Sequence, residues 1–217
     1  MDAGFWHSRW ENAQIGFHEG TVNRMLAAHV GRLPVPANAR VFLPLCGKTR
    51  DIAWLLSRGF RVAGAELSEI AVRDLFDEMG VTPEVTNMGK MKRYAAGDVD
   101  IFVGDIFDLG PDVLGPVDAV FDRAALVALP EDMRARYTRH LAEITRQAPQ
   151  ILVTFDYDQG LMDGPPFAVP DGEVERLYAA RFDAVIIDDQ DVAGGLKGRC
   201  PAREKAWLIR DRQAVSR

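Results

Sequence analysis

Apolar runs and amphipathic stretches alternate along most of the chain. Arg40-Val-Phe-Leu-Pro-Leu45 is a continuous apolar run and predicts a buried strand. Ile52, Ala53, Leu55 and Leu56 recur at helical spacing, which predicts a helix over 51–58 closed by Gly59. Arg61-Val-Ala-Gly-Ala-Glu66 predicts the second strand, and Ser68 caps a helix that stops at Gly80. Lys92–Ala95 and Asp100–Val103 read as a short hairpin or an approach ribbon, and Val117–Phe121 as a further buried strand. Pro130 opens a long helical pattern through Tyr137, Leu141 and Ile144, followed by the strand Ile151–Phe155.

Strands that alternate with helices pair in parallel, so the pattern predicts a doubly wound α/β sheet. The final third changes character. Gly164-Pro-Pro-Phe167 reads as a rigid loop, residues 171–180 as a short helix, and Ala184–Ile187 and Ala206–Ile209 as strands with no helix between them. Such a pair predicts an antiparallel hairpin at the sheet edge. The first forty residues stand apart. Trp6, Trp10, Ile15 and Phe17 precede a helical pattern at Val22, Met25, Leu26 and Val30, and Gly31 and the Pro34–Pro36 run then punctuate the chain. A single domain over 1–217 is expected, with 1–38 as an N-terminal arm and helix and 39–217 as the core.

Composition narrows the function classes. The chain has 217 residues, 47% hydrophobic and 27% charged, which suits one well-filled globule. Its formal net charge of −6, without a dense Lys/Arg cluster, argues against a nucleic-acid partner. Arg134, Arg136 and Arg139 read as a solvated helix face. Two cysteines, Cys46 and Cys200, make no disulfide framework, and the scattered histidines offer no metal-ligand spacing. The polar, aromatic start lacks the apolar stretch of a signal peptide, and no run approaches a membrane span. A cytoplasmic protein without membrane or metal is expected.

In open α/β sheets ligands bind beyond the carboxyl ends of the strands. The turn after the first strand is Cys46-Gly-Lys-Thr49. It lacks the earlier glycine of a phosphate loop, because position 42 is Phe, and it has too few glycines for a dinucleotide fingerprint. Glu66 ends the second strand 19 residues after Gly47, where a ribose-binding acid stands in such sheets. One glycine and a strand-end acid suit an adenosine without phosphates, hence S-adenosylmethionine. The other reading makes Glu66 an acid at the start of the helix after Ser68.

Asp105, after the third strand, is placed to accept from an adenine amino group while Ile106 packs on the base; a plain turn Asp is the alternative. Arg123 follows the strand 117–121 and needs acceptors if buried. The methionine carboxylate is one, and a structural ion pair with Asp122 or Glu66 is another. Trp6, Trp10 and Phe17 suit either an aromatic lid over a sulfonium or ordinary packing.

These residues together resemble the thiopurine S-methyltransferase family, especially its bacterial members, over nearly the whole chain. The resemblance is carried by Phe5-Trp-His-Ser-Arg-Trp10, Gly16-Phe-His18, Leu43-Pro-Leu-Cys-Gly-Lys48, Gly64-Ala-Glu-Leu-Ser68, Gly104-Asp-Ile-Phe-Asp-Leu109, Asp122-Arg-Ala-Ala-Leu-Val-Ala-Leu-Pro130 and Gly164-Pro-Pro-Phe167. It implies a class I S-adenosylmethionine-dependent methyltransferase fold, a Rossmann-like seven-stranded sheet, mostly parallel with an antiparallel C-terminal strand. It also implies contacts to S-adenosylmethionine from Trp10, Leu45, Glu66 and Arg123 and from the Asp105–Ile106 turn. Phe17 falls where the family places an aromatic over the methyl acceptor, and Arg123 reaches that side too. Lys197 and Arg199 lie in a variable stretch, and a cation such as Arg123 or Arg199 near the acceptor would favour its anionic form.

The expected reaction is direct in-line transfer to the sulfur of a thiopurine or related aromatic or heterocyclic thiol, leaving S-adenosylhomocysteine and using no metal. Cys46 is not needed as a nucleophile. The partner is then a small-molecule thiol, the arm is a lid, and the protein is a monomer. Selenium or tellurium compounds, thiol or halide ions, or a module that binds S-adenosylmethionine without catalysis are the alternatives.

Overall fold

The computed structural model describes residues 3–16 and 19–212. The chain opens with α1 (Ala3–Glu11) and α2 (Arg24–His29). Next come β1 (Arg40–Leu43), α3 (Arg50–Ser57), β2 (Arg61–Glu66) and α4 (Glu69–Met79). A ribbon follows, of β3 (Glu84–Met88), β4 (Met91–Ala96) and β5 (Val99–Val103). The remainder is α5 (Pro111–Leu114), β6 (Ala119–Asp122), α6 (Glu131–Ile144), β7 (Gln150–Asp156), α7 (Asp171–Tyr178), β8 (Phe182–Asp191) and β9 (Arg203–Asp211).

Local chemistry sets the helix ends. Thr49 caps α3 by accepting from the Asp51 N–H, and Ser68 caps α4 by accepting from the Ala71 N–H. Gly80 closes α4 in the left-handed conformation, where a side chain would be strained. Pro130 precedes α6 and gives up no helical hydrogen bond there.

One nine-stranded sheet has the order β3-β4-β5-β2-β1-β6-β7-β9-β8. The pairs β5–β2, β2–β1, β1–β6 and β6–β7 are parallel. The ribbon at one edge is antiparallel, as are β7–β9 and β9–β8. Alternation along the central strands sends side chains to two faces. Phe42, Phe102, Val120 and Leu152 join Leu141 of α6 and Val174 of α7 on one face. Val41, Ile101, Phe121 and Ile151 join Leu26 of α2, Ile52 of α3 and Phe76 of α4 on the other. Each of these side chains is fully or almost fully buried, worth about 1.5–3 kcal/mol apiece.

The doubly wound sheet and its antiparallel C-terminal strand agree with the sequence reading. Three details differ. The sheet has nine strands rather than seven, because β3 and β4 extend it; β3 is almost wholly exposed, so it carries no apolar signal. The aromatic start of the arm is a helix, α1, in which only Trp10 is buried. Arg134 is not on a solvated face. It is buried, ion-paired with Glu173 at 2.7 Å, and donates to the Leu129 and Ala168 carbonyls. That arrangement fastens α6 to α7 and to the loop after β7.

Candidate active site

The ends of β1, β2, β6 and β7 open onto a cavity of about 290 Å³. Leu45, Glu66, Arg123 and Phe155 line it from the strand ends, and Phe5, Trp6, Arg9 and Trp10 line it from α1. It lies where the strand order reverses, with β2 on one side of β1 and β6 on the other, the place such sheets bind ligands.

The turn after β1 holds two left-handed residues, Leu45 at φ 47° and Gly47 at φ 54°. Leu45 is strained there, at a cost on the order of 1–3 kcal/mol, and Ala124, beside Arg123, is strained likewise at φ 65°. Both line the cavity. Gly47 is required twice over. Its φ favours glycine, and a Cβ would stand 3.2 Å from the Trp10 ring. Trp10 is therefore buried against the turn, while Trp6 faces the cavity.

Glu66 is buried at the end of β2, and each of its carboxylate oxygens accepts one backbone N–H. Gly47 donates at 2.8 Å and Ser68 at 2.8 Å. Burial raises its pKa, opposed by the N–H donors of Ser68 and Gly47. An ionised carboxylate has about four acceptor sites, so roughly two remain for a ligand. Both sequence readings of Glu66 thus have a structural counterpart, since it holds the turn to the start of α4 and also faces the cavity. Cys46, in the same turn, is buried, and burial followed by the nearby Glu66 pushes its thiol pKa well up. It is an inert thiol rather than a nucleophile.

Arg123 is ion-paired with Glu19, a residue of the arm, and its side chain is 14% exposed. The pairing with Asp122 or Glu66 is not formed. Asp122 is instead wholly buried, accepting from the Tyr137 hydroxyl at 2.7 Å and the Leu126 N–H at 3.1 Å. Burial raises the Asp122 pKa to about 6. Because the folded value lies above the ordinary 3.8, folding favours the protonated form, and stability falls as pH rises from about 4 through 6. Roughly two pKa units correspond to about 3 kcal/mol. The wild type is expected to lose that much stability relative to Asp122→Asn between pH 4 and 7. Urea unfolding of both proteins across that range measures it, and parallel pH curves would refute it.

Sequence reasoning missed Asp51, a buried carboxylate lining the cavity. It accepts from the Asn23 N–H at 2.7 Å and the Thr49 hydroxyl at 2.9 Å, and burial raises its pKa. An acid in the first turn of a helix is common, so no signal marked it. Glu19 and Arg9 were missed for the same reason: single charges on a polar arm do not stand out.

Asp105 and Ile106 are not among the residues lining the cavity. Asp105 accepts from the Phe107 N–H at 2.9 Å, and Ile106 is buried with its carbonyl 2.8 Å from His140 Nε2. The turn still begins one strand over from Glu66, because Gly104 N–H donates to the Glu66 carbonyl at 2.9 Å. Phe17 lies outside the described residues. Among the described residues no group of three or more His, Cys, Asp or Glu is placed to hold a metal. None of their helices is long and apolar enough to cross a membrane.

A strand-end acid facing a cavity across a glycine-poor turn, in a mostly parallel sheet with a reversed strand toward each edge, fits a class I methyltransferase. Solved structures share that fold. The 1,6-didemethyltoxoflavin-N1-methyltransferase of Burkholderia thailandensis, crystallised with 1,6-didemethyltoxoflavin and S-adenosylhomocysteine, superposes with a TM-score of 0.64 at 18% identity, covering 96% of this chain and 87% of that one. The magnesium protoporphyrin IX methyltransferase of Synechocystis, with bound S-adenosylhomocysteine, gives 0.63 at 16% identity over 96% and 99%. The family model for thiopurine S-methyltransferase matches residues 1–209. The thiopurine S-methyltransferase of Xanthobacter autotrophicus is 62% identical over 210 residues, 96% of this chain and 99% of the relative. That of Gluconobacter oxydans is 46% identical over 206 residues, 95% and 94% of the two chains. The chain belongs to the thiopurine S-methyltransferase family and is an S-adenosylmethionine-dependent methyltransferase.

Proposed function

We propose that the enzyme methylates the sulfur of thiopurines and related aromatic or heterocyclic thiols by direct transfer. The observation that carries the reading is the cavity, which brings together Glu66, the Gly47 turn, Arg123 and an aromatic wall from α1. The residues present fit S-adenosylmethionine: Glu66 keeps about two acceptor sites for ribose hydroxyls, and the Leu45–Gly47 turn brings backbone to the cavity. When bound, S-adenosylmethionine supplies an electrophilic methyl on a positively charged sulfur.

Glu66 would hold the ribose. Trp10 and the Leu45 turn would fix the position of the methionine end, and the Asp105–Ile106 turn would meet the base. Arg123 would favour the anionic form of the acceptor thiol, and Phe17 would cover it. Displacement forms the acceptor S–C bond as the sulfonium S–C bond breaks. An aromatic thiol ionised near neutral pH needs no strong base, so the protein contributes alignment, exclusion of water and a fixed field.

The test is to incubate the enzyme with labelled S-adenosylmethionine and a panel of thiopurines, thiophenols, selenite, tellurite and halides. Label in a thioether is the expected product. Label only in selenium, tellurium or halide products would overturn sulfur as the acceptor.

The arm is read as a lid. α1 forms a wall of the cavity, and Glu19 is the arm's ionic contact to Arg123. Such closing segments open on fast timescales when the site is empty. Hydrogen exchange over residues 3–16 is expected to slow on adding S-adenosylhomocysteine. Equal exchange with and without it would make α1 a fixed part of the core.

A further inference from the structure

Phe121, Arg123, Ala124, Val127 and Ala128 bring one short stretch of chain to the cavity wall. The backbone there is bent. β6 ends at Asp122, Ala124 is left-handed at φ 65°, and one tight helical turn occupies Leu126–Ala128. An alanine in the left-handed region costs free energy and persists only where its surroundings hold it. Two contacts do so. The Phe167 N–H donates to the Val127 carbonyl at 2.7 Å. Asp122 spans the bend itself: Oδ1 accepts from the Leu126 N–H at 3.1 Å, and Oδ2 accepts from the Tyr137 hydroxyl of α6 at 2.7 Å. The carboxylate therefore ties the far side of the bend to α6.

Packing alone does not account for an acid at this place. Asp122 is wholly buried, and burial lifts its pKa to about 6, so ionising it costs stability. An Asn has the same shape and no charge to bury. The titratable groups that face Asp122 are two tyrosines. Tyr137 comes from α6, and Tyr178 comes from α7, where its buried hydroxyl makes no hydrogen bond among the described residues. Arg123, next in the chain, pairs with Glu19 instead. What the ionised form gains is two acceptor oxygens, and bonds to a charged acceptor are roughly twice as strong as neutral ones. On protonation one oxygen becomes a donor and competes with the Tyr137 O–H.

We propose that Asp122 is a positioning residue for methyl transfer: its bonds to Leu126 and Tyr137 hold the bend at 122–128 in the shape that presents Arg123 and Ala124 to the cavity. The inference rests on the reading of Arg123 as a site residue. Protonating Asp122 weakens both bonds and lets Ala124 relax. Activity and stability then oppose one another in pH: the protonated form folds better, and the ionised form turns over faster.

The experiment is a profile of kcat/KM from about pH 5 to 7.5 at saturating S-adenosylmethionine. The acceptor is the one that the product panel identifies; for sulfur it is pentafluorothiophenol, which stays ionised throughout. Wild type is expected to lose at least fivefold on going to pH 5, along one limb. Asp122→Asn is expected to give a flat profile, at least fivefold below wild type at pH 7.5, while melting no lower than wild type. A merely structural acid would not combine full stability with lost activity. Tyr137→Phe removes a donor to the charged form, so its limb should move up by half a pH unit or more. A flat wild-type profile overturns the proposal. So does a limb that survives Asp122→Asn, which would belong to Glu66 or Asp51, buried acids that also line the cavity. A limb unmoved in Tyr137→Phe overturns it as well. Should Asp122→Asn fail to fold, wild type and Tyr137→Phe still decide. Arg123→Lys is profiled alongside. If it is as active as wild type while Asp122→Asn is flat and slow, the reading of Arg123 fails and the positioning of the bend stands.

Discussion

Glu66→Ala is expected to weaken S-adenosylhomocysteine binding by at least a hundredfold. Two ribose hydroxyls donating to a carboxylate are charge-assisted bonds of about 1.5–3 kcal/mol each, and a hundredfold needs only about 2.7 kcal/mol. The sequence alone suggests that the fold would be untouched. The hydrogen bonds say otherwise, because the same carboxylate is the acceptor for the Gly47 and Ser68 N–H groups. Leaving two buried donors unpaired costs about 1–3 kcal/mol each, partly offset by removing a buried charge. A melting temperature lower by several degrees is therefore expected alongside the lost affinity. Calorimetric titration well below the variant's melting temperature separates the two effects. An affinity within twofold of wild type would make Glu66 a strut for the turn and nothing more.

Arg123→Lys is expected to lower kcat/KM for an aromatic thiol at least tenfold, about 1.4 kcal/mol of transition-state stabilisation, at saturating S-adenosylmethionine. Lysine keeps the charge and still reaches for Glu19, but it loses the planar fork. Stability should hardly change, since the Glu19 partner is about half exposed and such pairs contribute about 0–1 kcal/mol. Asp122 is not involved, as Tyr137 and Leu126 already satisfy it. Melting temperature and kinetics on one preparation decide the matter, and a destabilised but fully active variant would remove Arg123 from the site.

The centre of the sheet was legible because buried parallel strands and capped helices write themselves in apolar runs and in Ser68, Gly59 and Gly80. The ribbon strand Glu84–Met88 was not, since an exposed edge strand buries too little to leave a pattern. Of the site, Glu66 and Arg123 could be placed by counting to strand ends. Asp51 and Glu19 could not, because nothing in their neighbours distinguishes a cavity carboxylate from a solvated one. Arg134 was misread for a physical reason: its partners, Glu173 and two carbonyls, come from distant segments that only the folded chain brings together. Lys197 stood in a stretch without motif, so nothing in the sequence pointed to its place on the cavity wall.

The strand order carries a consequence for how the protein is made. β9 lies between β7 and β8, and Trp207 on β9 donates to the Thr154 hydroxyl of β7 at 3.0 Å. β8 leaves the ribosome before β9 yet pairs with the sheet only through it. Until residues 203–211 have emerged, β7 has an open edge and β8 has no seat. The α2 helix is tied to the same late strands, because Arg24 pairs with Glu204 of β9 and His29 with Asp188 of β8. A nascent chain stalled before residue 203 would therefore hold the turn, Glu66 and Arg123 in a sheet whose β7 edge is open, with α2 lacking those two ties. The last strand made therefore enters the interior of the sheet rather than extending its edge.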